Sequence, residues 1–166
     1  MSRPKNVWVT VDYSRTIEAL VVAGSYQEID PKINGRNFFK VDERGIIQRV
    51  EVGFFDLCFG ELRPSDINHM IRNVHHNPPR DPVNIKEFLS LGAQHPDLQF
   101  GESIIASDCR YDEYEGEMHT GLFFPFLGSV PAESGKGKNR VLGLEELPYG
   151  FEFCGGWFPY VVGRKS

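Results

Sequence analysis

Residues 45–60, "GIIQRVEVGFFDLCFG", predict the central strand of a β-sheet. In the first half, Val50 and Val52 alternate with charged residues, which is typical of a strand with one buried face. The second half is apolar at successive positions, and such a run favours a strand that is covered on both faces. Gly53 lies at the change of pattern, where we expect a β-bulge.

The segments before this strand predict a second strand, a helix and a loop. Residues 6–13, "NVWVTVDY", place three valines and a tyrosine on one face of a half-buried strand. Ser14 is then the expected N-cap of a short helix that ends at Gly24. The pair Asn34-Gly35 predicts a turn in the loop that follows.

Two helices are predicted after the central strand. Residues 63–74, "RPSDINHMIRNV", carry apolar residues at helical spacing behind Ser65 as N-cap. Residues 84–92, "NIKEFLSLG", begin with a capping-box pattern made by Asn84 and Glu87. We expect this second helix to close at the glycine that ends the segment.

The connector between these helices, residues 73–84 "NVHHNPPRDPVN", combines two adjacent histidines with three prolines. Proline lacks a backbone N–H and disfavours helix at the residue before it, so neither helix can continue through the segment. His75 and His76 would bind a metal only if the fold brought further ligands to them, and nothing in the pattern requires this. We therefore predict a stiff, extended and solvated connector.

The chain after residue 102 predicts strands. Their segments are residues 103–111, 119–128, 140–147 and 151–163, with a hairpin turn predicted at Gly155-Gly156. The predicted fold class is therefore α+β: a β-α-β-α-α N-terminal half followed by an antiparallel, β-rich C-terminal half. We expect residues 1–166 to form a single domain.

Composition and charge narrow the classes of partner. The net charge is −5, and residues 97–117 hold seven acidic residues against Arg110 alone. Because the chain has no basic footprint, we expect no nucleic-acid partner. The three cysteines are widely spaced, which is typical of a reduced, cytoplasmic protein. No apolar run is long enough to predict a signal peptide or a membrane partner.

The aromatic residues of the C-terminal half suggest a binding surface. Strand alternation cannot place all of them in one core, and an exposed aromatic patch is typical of an interaction site. The leading hypothesis is a small binding or interaction module for a protein or small-molecule ligand, without a cofactor. Its predicted ligand-binding residues are Phe124, Trp157, Phe158 and Tyr160. The competing interpretation of the same residues is a sheet buried on both faces.

The acidic segment 108–119 suggests an alternative function, a metal-dependent or acid–base hydrolase. Carboxylates beside a histidine can hold a divalent ion or transfer protons, and the candidate residues are Glu115, Glu117 and His119. Gly116 favours a hairpin turn instead, with the acids at a solvated tip. Cys109 and His119 would form a nucleophile and its base only if folding brought them together. Enzymatic activity is therefore undecided by the sequence.

Residues 130–140, "VPAESGKGKNR", invite comparison with phosphate-binding loops. The nucleotide-binding P-loop requires a glycine where Val130 stands and a hydroxyl where Gly137 stands, so the pattern fails. We predict a flexible basic surface loop that carries Lys136, Lys138 and Arg140.

The order of several short segments also supports a resemblance. "VTVDYS", "AGSYQEIDPKINGRNF", "LSLGAQHPDLQ" and an aromatic close ending in "VVGRK" resemble a group of bacterial proteins for which no activity is established. The resemblance implies a bacterial protein and assigns no catalytic or binding residue. The acidic "RYDEYEGEM" departs from that group.

Overall fold

The computed structural model describes residues 5–38, 46–56, 61–62, 68–69, 71–72, 80–147, 153–154 and 160–165. Their strands are β1 (Asn6–Asp12), β2 (Glu28–Ile29), β3 (Ile47–Asp56), β4 (Glu61–Leu62), β5 (Arg80–Pro82), β6 (Ile104–Ile105), β7 (Tyr111–Glu115), β8 (Met118–Pro131), β9 (Lys138–Leu147), β10 (Phe153–Cys154) and β11 (Tyr160–Lys165). The helices are α1 (Ile17–Gly24) and α2 (Ile85–Gln94), and a 3-10 helix follows at Pro96–Phe100. Residues 68–69 and 71–72 are also helical.

The strands form a mixed sheet in the order β1-β3-β11-β6-β8-β9-β2, with β5 beside β11 and β7 beside β8. The α+β class and the strand-rich C-terminal half are confirmed. The central position of β3 is confirmed as well, since it pairs antiparallel with β1 on one side and β11 on the other. The C-terminal strand β11 also runs parallel to β6.

The predicted bulge at Gly53 is wrong. Gly53 pairs in regular register with both Asn6 and Gly163. Its lack of a side chain has another reason, because a Cβ at this position would lie 3.1 Å from the guanidinium carbon of Arg80. The Arg80 side chain lies against the face of the sheet at Gly53, and its guanidinium is 3.6 Å from the Glu51 carboxylate.

One face of the sheet packs against both helices. The alternation predicted for β1 is confirmed, since Val9 and Val11 are fully buried. They belong to one cluster with Val50 and Val52 of β3 and with apolar residues of both helices, including Leu20 and Phe88. Burying this apolar area is the main favourable contribution to folding.

The helix ends follow local hydrogen bonds. Helix α1 starts after Thr16, whose hydroxyl accepts from the Ala19 N–H at 3.1 Å. The predicted cap at Ser14 is wrong because that hydroxyl instead donates to Asp12 at 2.5 Å. The capping box of α2 is confirmed, with Asn84 and Glu87 both contributing. This helix continues past its glycine to Gln94, two residues beyond the predicted end.

The opposite face of the sheet is also covered in part. Alternation places Ile105 and Phe124 on the face away from the two helices, and their exposed fractions are 0% and 1%. Ile71 lies on the same side, since a Cβ at Gly163 would be 2.8 Å from its Cγ2. The middle of β8, residues 121–128, is therefore buried or half-buried on both faces, as in the competing interpretation of the aromatic residues.

Arg140 does not belong to a surface loop. The turn between β8 and β9 comprises residues 132–137, and Lys136 is exposed there as predicted. Arg140 lies further along β9, and its side chain is buried. The predicted basic loop is therefore wrong for this residue, whose guanidinium instead hydrogen-bonds both helices from inside the molecule.

Candidate ligand-binding site

A cavity of about 540 Å³ opens beside the N-terminus of α2. Three segments enclose it: the loop at residues 36–38, the first residues of α2, and residues 108–114. The lining residues are Arg36, Asn37, Phe38, Asn84, Ile85, Asp108, Cys109, Arg110, Tyr111, Asp112 and Tyr114. The volume lies within the range of small-molecule sites in proteins.

The loop wall is held by a turn that the sequence predicts. The Asn34 side chain accepts from the backbone N–H groups of Arg36 and Asn37 at 3.0 and 3.1 Å. Glu18 of α1 accepts from the Gly35 N–H at 2.7 Å. This hydrogen bond lowers the pKa of the Glu18 carboxyl from its ordinary value. The wall is thus tied to the first turn of α1.

The wall formed by α2 is held by hydrogen bonds of its capping box and of a buried lysine. Glu87 is fully buried, and its carboxylate accepts from the Asn84 N–H at 2.9 Å and from the Tyr13 hydroxyl at 2.6 Å. Lys86 is buried as well and donates to the Tyr13 carbonyl at 2.6 Å. These bonds connect the start of α2 to the end of β1, so the helix N-terminus is fixed beside the cavity.

Aromatic rings form the apolar side of the cavity. The Tyr111 ring stacks on Phe123 with ring centres 5.8 Å apart, and Phe38 lies 6.3 Å from Tyr111. Behind this wall, the Lys32 ammonium lies 4.5 Å from the centre of the Phe123 ring and 2.8 Å from Glu113. The hydrogen bond that the Lys32 ammonium donates to the Glu113 carboxylate raises the pKa of Lys32. The Tyr111 ring thus lines the cavity with its position set by the stack.

The polar groups leave unused cationic donors in the cavity. The Asp112 carboxylate lies 3.3 Å from Nε of Arg110, and Asp108 accepts from the Asn68 amide at 2.9 Å. Arg72 also lies 4.0 Å from Asp108. Both carboxylates are thus engaged. By contrast, the Arg36 guanidinium has no hydrogen bond or ion pair to any described residue.

The thiol of Cys109 is unsuited to nucleophilic chemistry. It is buried and donates to the Val83 carbonyl at 3.2 Å. Burial raises the pKa of the Cys109 thiol well above its usual range, and the nearby charges of Asp108 and Glu87 act in the same direction. The thiolate is the reactive form, so this environment disfavours it.

Most residues of the predicted aromatic surface lie outside the described ranges or inside the protein. Trp157 and Phe158 are not described, and neither is the predicted turn at Gly155-Gly156. Tyr160 begins β11, where its backbone pairs with the neighbouring strands. Phe124 is only 1% exposed, so it does not offer the accessible surface that the prediction requires.

The acidic segment forms the predicted hairpin. Strands β7 and β8 pair around a turn in which Gly116 has a φ of 64°, and Glu115 and Glu117 are exposed there. His119 lies in β8, and its side chain is outside the described part of the structure. Within the described residues, no group of three His, Cys, Asp or Glu side chains is placed to hold a metal ion. The predicted connector histidines, His75 and His76, also lie outside the described ranges.

Sequence reasoning missed Arg36, Phe38 and Tyr114 as site residues. The turn at Asn34-Gly35 was a signal for Arg36, because an arginine beside a tight turn projects from a fixed backbone. The capping box of Asn84 indicated a helix start and nothing about a cavity. Local patterns do not show the long-range packing that brings residues 108–114 to the loop at residues 36–38 and to the start of α2.

Comparisons with protein-family models, curated proteins and solved structures found no match to this chain. Across the described ranges, neither α1 nor α2 has the length and apolar character that a membrane crossing requires.

Proposed function

We propose that this protein is a small binding module whose ligand occupies the cavity beside α2. The ligand is a small molecule that carries a carboxylate or phosphate group next to a flat apolar part. The proposal keeps the binding function predicted from the sequence and moves its site from the C-terminal aromatic segment to the cavity. Binding through Trp157 and Phe158 stays a prediction.

The proposal rests on one observation: the carboxylates of the cavity have hydrogen-bond or ion-pair partners, whereas its arginines have donor groups that bond no described residue. Asp108 and Asp112 already accept from neighbouring donors, whereas the Arg36 guanidinium bonds none of the described residues. Arg110 uses Nε towards Asp112, and its two terminal nitrogens bond no other residue in the described ranges. A guanidinium fork matches the paired oxygens of a carboxylate or phosphate, which supports an anionic group as the ligand's charged end.

The flat part of the ligand is proposed from the aromatic wall. Tyr111 is held by stacking on Phe123, so its ring is fixed before a ligand arrives. Tyr114 is 60% exposed and offers a second ring at the mouth of the cavity. Rings that are already ordered lose little conformational freedom on binding, which favours affinity for another ring.

We place the protein in the cytoplasm and propose no nucleic-acid partner. The wide spacing of the cysteines supports the cytoplasmic location. The burial of Arg140 argues against a nucleic-acid partner, because it removes one of three charges from the predicted basic loop. Two exposed lysines give little affinity for a phosphate backbone at physiological salt.

Calorimetric titration with benzoate, phenyl phosphate and uncharged benzamide tests the proposal. We expect the two anions to bind, and benzamide to bind about tenfold or more weakly, since a charge-assisted hydrogen bond contributes about 1.5 kcal/mol. Arg36→Gln should weaken the anions about tenfold and leave benzamide unchanged. The matched control is Arg49→Gln, which alters an exposed arginine stacked on Trp8 outside the cavity.

Two results would count against the proposal. Equal affinity for benzoate and benzamide would show that the arginines do not select charge. An equal loss in Arg36→Gln and Arg49→Gln would show that the anions bind by net charge and not at the cavity.

A further inference from the structure

Strand β1 lies at one end of the sheet order, so one of its two edges has no neighbouring strand among the described residues. It is seven residues long and rich in valine, and it pairs with β3 along its whole length. An unprotected edge of this kind is a template for strand addition by another chain. The backbone groups on this edge therefore need partners.

Side chains at the end of α2 hydrogen-bond to three of those groups. The Gln94 amide donates from Nε2 to the Thr10 carbonyl at 2.6 Å, and its Oε1 accepts from the Thr10 N–H at 2.9 Å. One residue further, Nε2 of His95 lies 2.9 Å from the Trp8 carbonyl. The Gln94 amide thus makes both hydrogen bonds that one residue of an added antiparallel strand would make with Thr10.

We propose that Gln94 and His95 close the β1 edge against a second copy of this chain. The sequence of β1 is compatible with pairing to itself. An antiparallel register centred on Val9 aligns all seven residues of both copies, with Trp8 opposite Thr10 and Asn6 opposite Asp12. No like charges face each other in this register, and Trp8, 51% exposed, adds apolar surface beside the junction.

The test is the mass in solution of the double variant Gln94→Ala/His95→Ala, measured by light scattering over a range of concentrations. We expect the parent chain to have the monomer mass and the variant to reach about twice that mass as concentration rises. Amide exchange at Thr10 should then be slow in the associated form, since its N–H is paired with the second copy.

A rescue variant separates strand addition from general unfolding. Adding Thr10→Pro removes the edge N–H while leaving the β3 ladder intact, because the Thr10 N–H and carbonyl bond Gln94 and not β3. Proline is tolerated on edge strands for this reason. The triple variant should return to the monomer mass. The matched control is Ala93→Ser, which changes the residue of α2 just before Gln94 and leaves both closing side chains in place.

Three outcomes would overturn the proposal. The first is a double variant that keeps the monomer mass at every concentration with an unchanged circular dichroism spectrum. The second is association that persists with Thr10→Pro, and the third is a parent chain that already associates as the variant does. If the double variant loses its native spectrum, Gln94→Ala alone is measured in its place and judged by the same outcomes.

Discussion

At the scale of single residues, Arg140 is the clearest case of a side chain with an architectural role. Its three nitrogens donate to the Gln99 side chain and to the carbonyls of Gly24 and Gly92, each at 2.6 Å. The two glycine carbonyls lie in the last turns of α1 and α2, where helices leave carbonyl groups unpaired. The negative ends of both helix dipoles also favour a cation here. One guanidinium therefore fastens both helices to β9.

Arg140→Met should lower the free energy of unfolding by about 2–4 kcal/mol, because three buried acceptors lose their donor. Arg140→Lys should be nearly as harmful, since one ammonium cannot match the guanidinium geometry. Urea denaturation followed by circular dichroism gives the values. Arg49→Met, at an exposed position, should cost less than about 1 kcal/mol. Equal losses at the two positions would refute the role assigned to Arg140.

Tyr26 gives a residue-scale prediction at alkaline pH. Its ring lies 4.8 Å from the Arg140 guanidinium, and burial raises the pKa of Tyr26 to about 12, although the Arg140 charge opposes the shift. Between pH 10 and 12 the unfolded chain loses the phenol proton while the folded protein keeps it. The free energy of unfolding therefore falls as pH rises through that window, by up to about 2 kcal/mol.

The measurement is the difference in unfolding free energy between the parent and Tyr26→Phe from pH 8 to 12. The phenylalanine variant should lose less stability above pH 10. At pH 8 it should be within about 1 kcal/mol of the parent, because the Tyr26 hydroxyl has no hydrogen-bond partner among the described residues. Parallel curves across the whole range would contradict the assignment.

At the scale of secondary-structure elements, α2 shows what local sequence can and cannot predict. Its capping box was predictable because Asn84 and Glu87 interact within one turn. The burial of the first two turns of α2, including Lys86, was not predictable from local sequence. The groups that contact these turns come from Tyr13 and the sheet. The end of the helix at Gln94 depends in the same way on long-range bonds to β1.

The link between α1 and the cavity loop predicts a response to acid. Because the Gly35 N–H lowers the pKa of Glu18, the folded state favours the carboxylate. The resulting stability is present above the unfolded pKa, near 4.3, and is lost as pH falls through the lower folded value. Glu18→Gln should therefore show a shallower fall in unfolding free energy than the parent below about pH 4.5.

This comparison is made by urea denaturation at a series of pH values. Glu28→Gln is the control, since Glu28 is an exposed carboxylate in the short strand β2. Identical pH dependence in the parent and Glu18→Gln would show that the bond to Gly35 contributes nothing to stability in acid.

At the scale of the whole molecule, the class of fold was predictable and the topology was not. Periods of two and of 3.6 residues revealed β1, β3 and α2 because each pattern is contained in a short segment. The insertion of β11 between β3 and β6 leaves no such local trace. The cavity was equally unpredictable from local sequence, because residues 36–38, 84–85 and 108–114 come together only in the folded chain. The acidic segment was noticed for its carboxylates, whereas the proposed ligand contacts come from its arginine and tyrosines.

Mapping amide chemical shifts during a benzoate titration shows whether this cavity binds a small anionic ligand. We expect saturable shifts concentrated at residues 36–38, 84–85 and 108–114, with matching shifts for phenyl phosphate and far weaker ones for benzamide. Saturable shifts confined to other parts of the chain, or no saturable shifts with either anion, would contradict it.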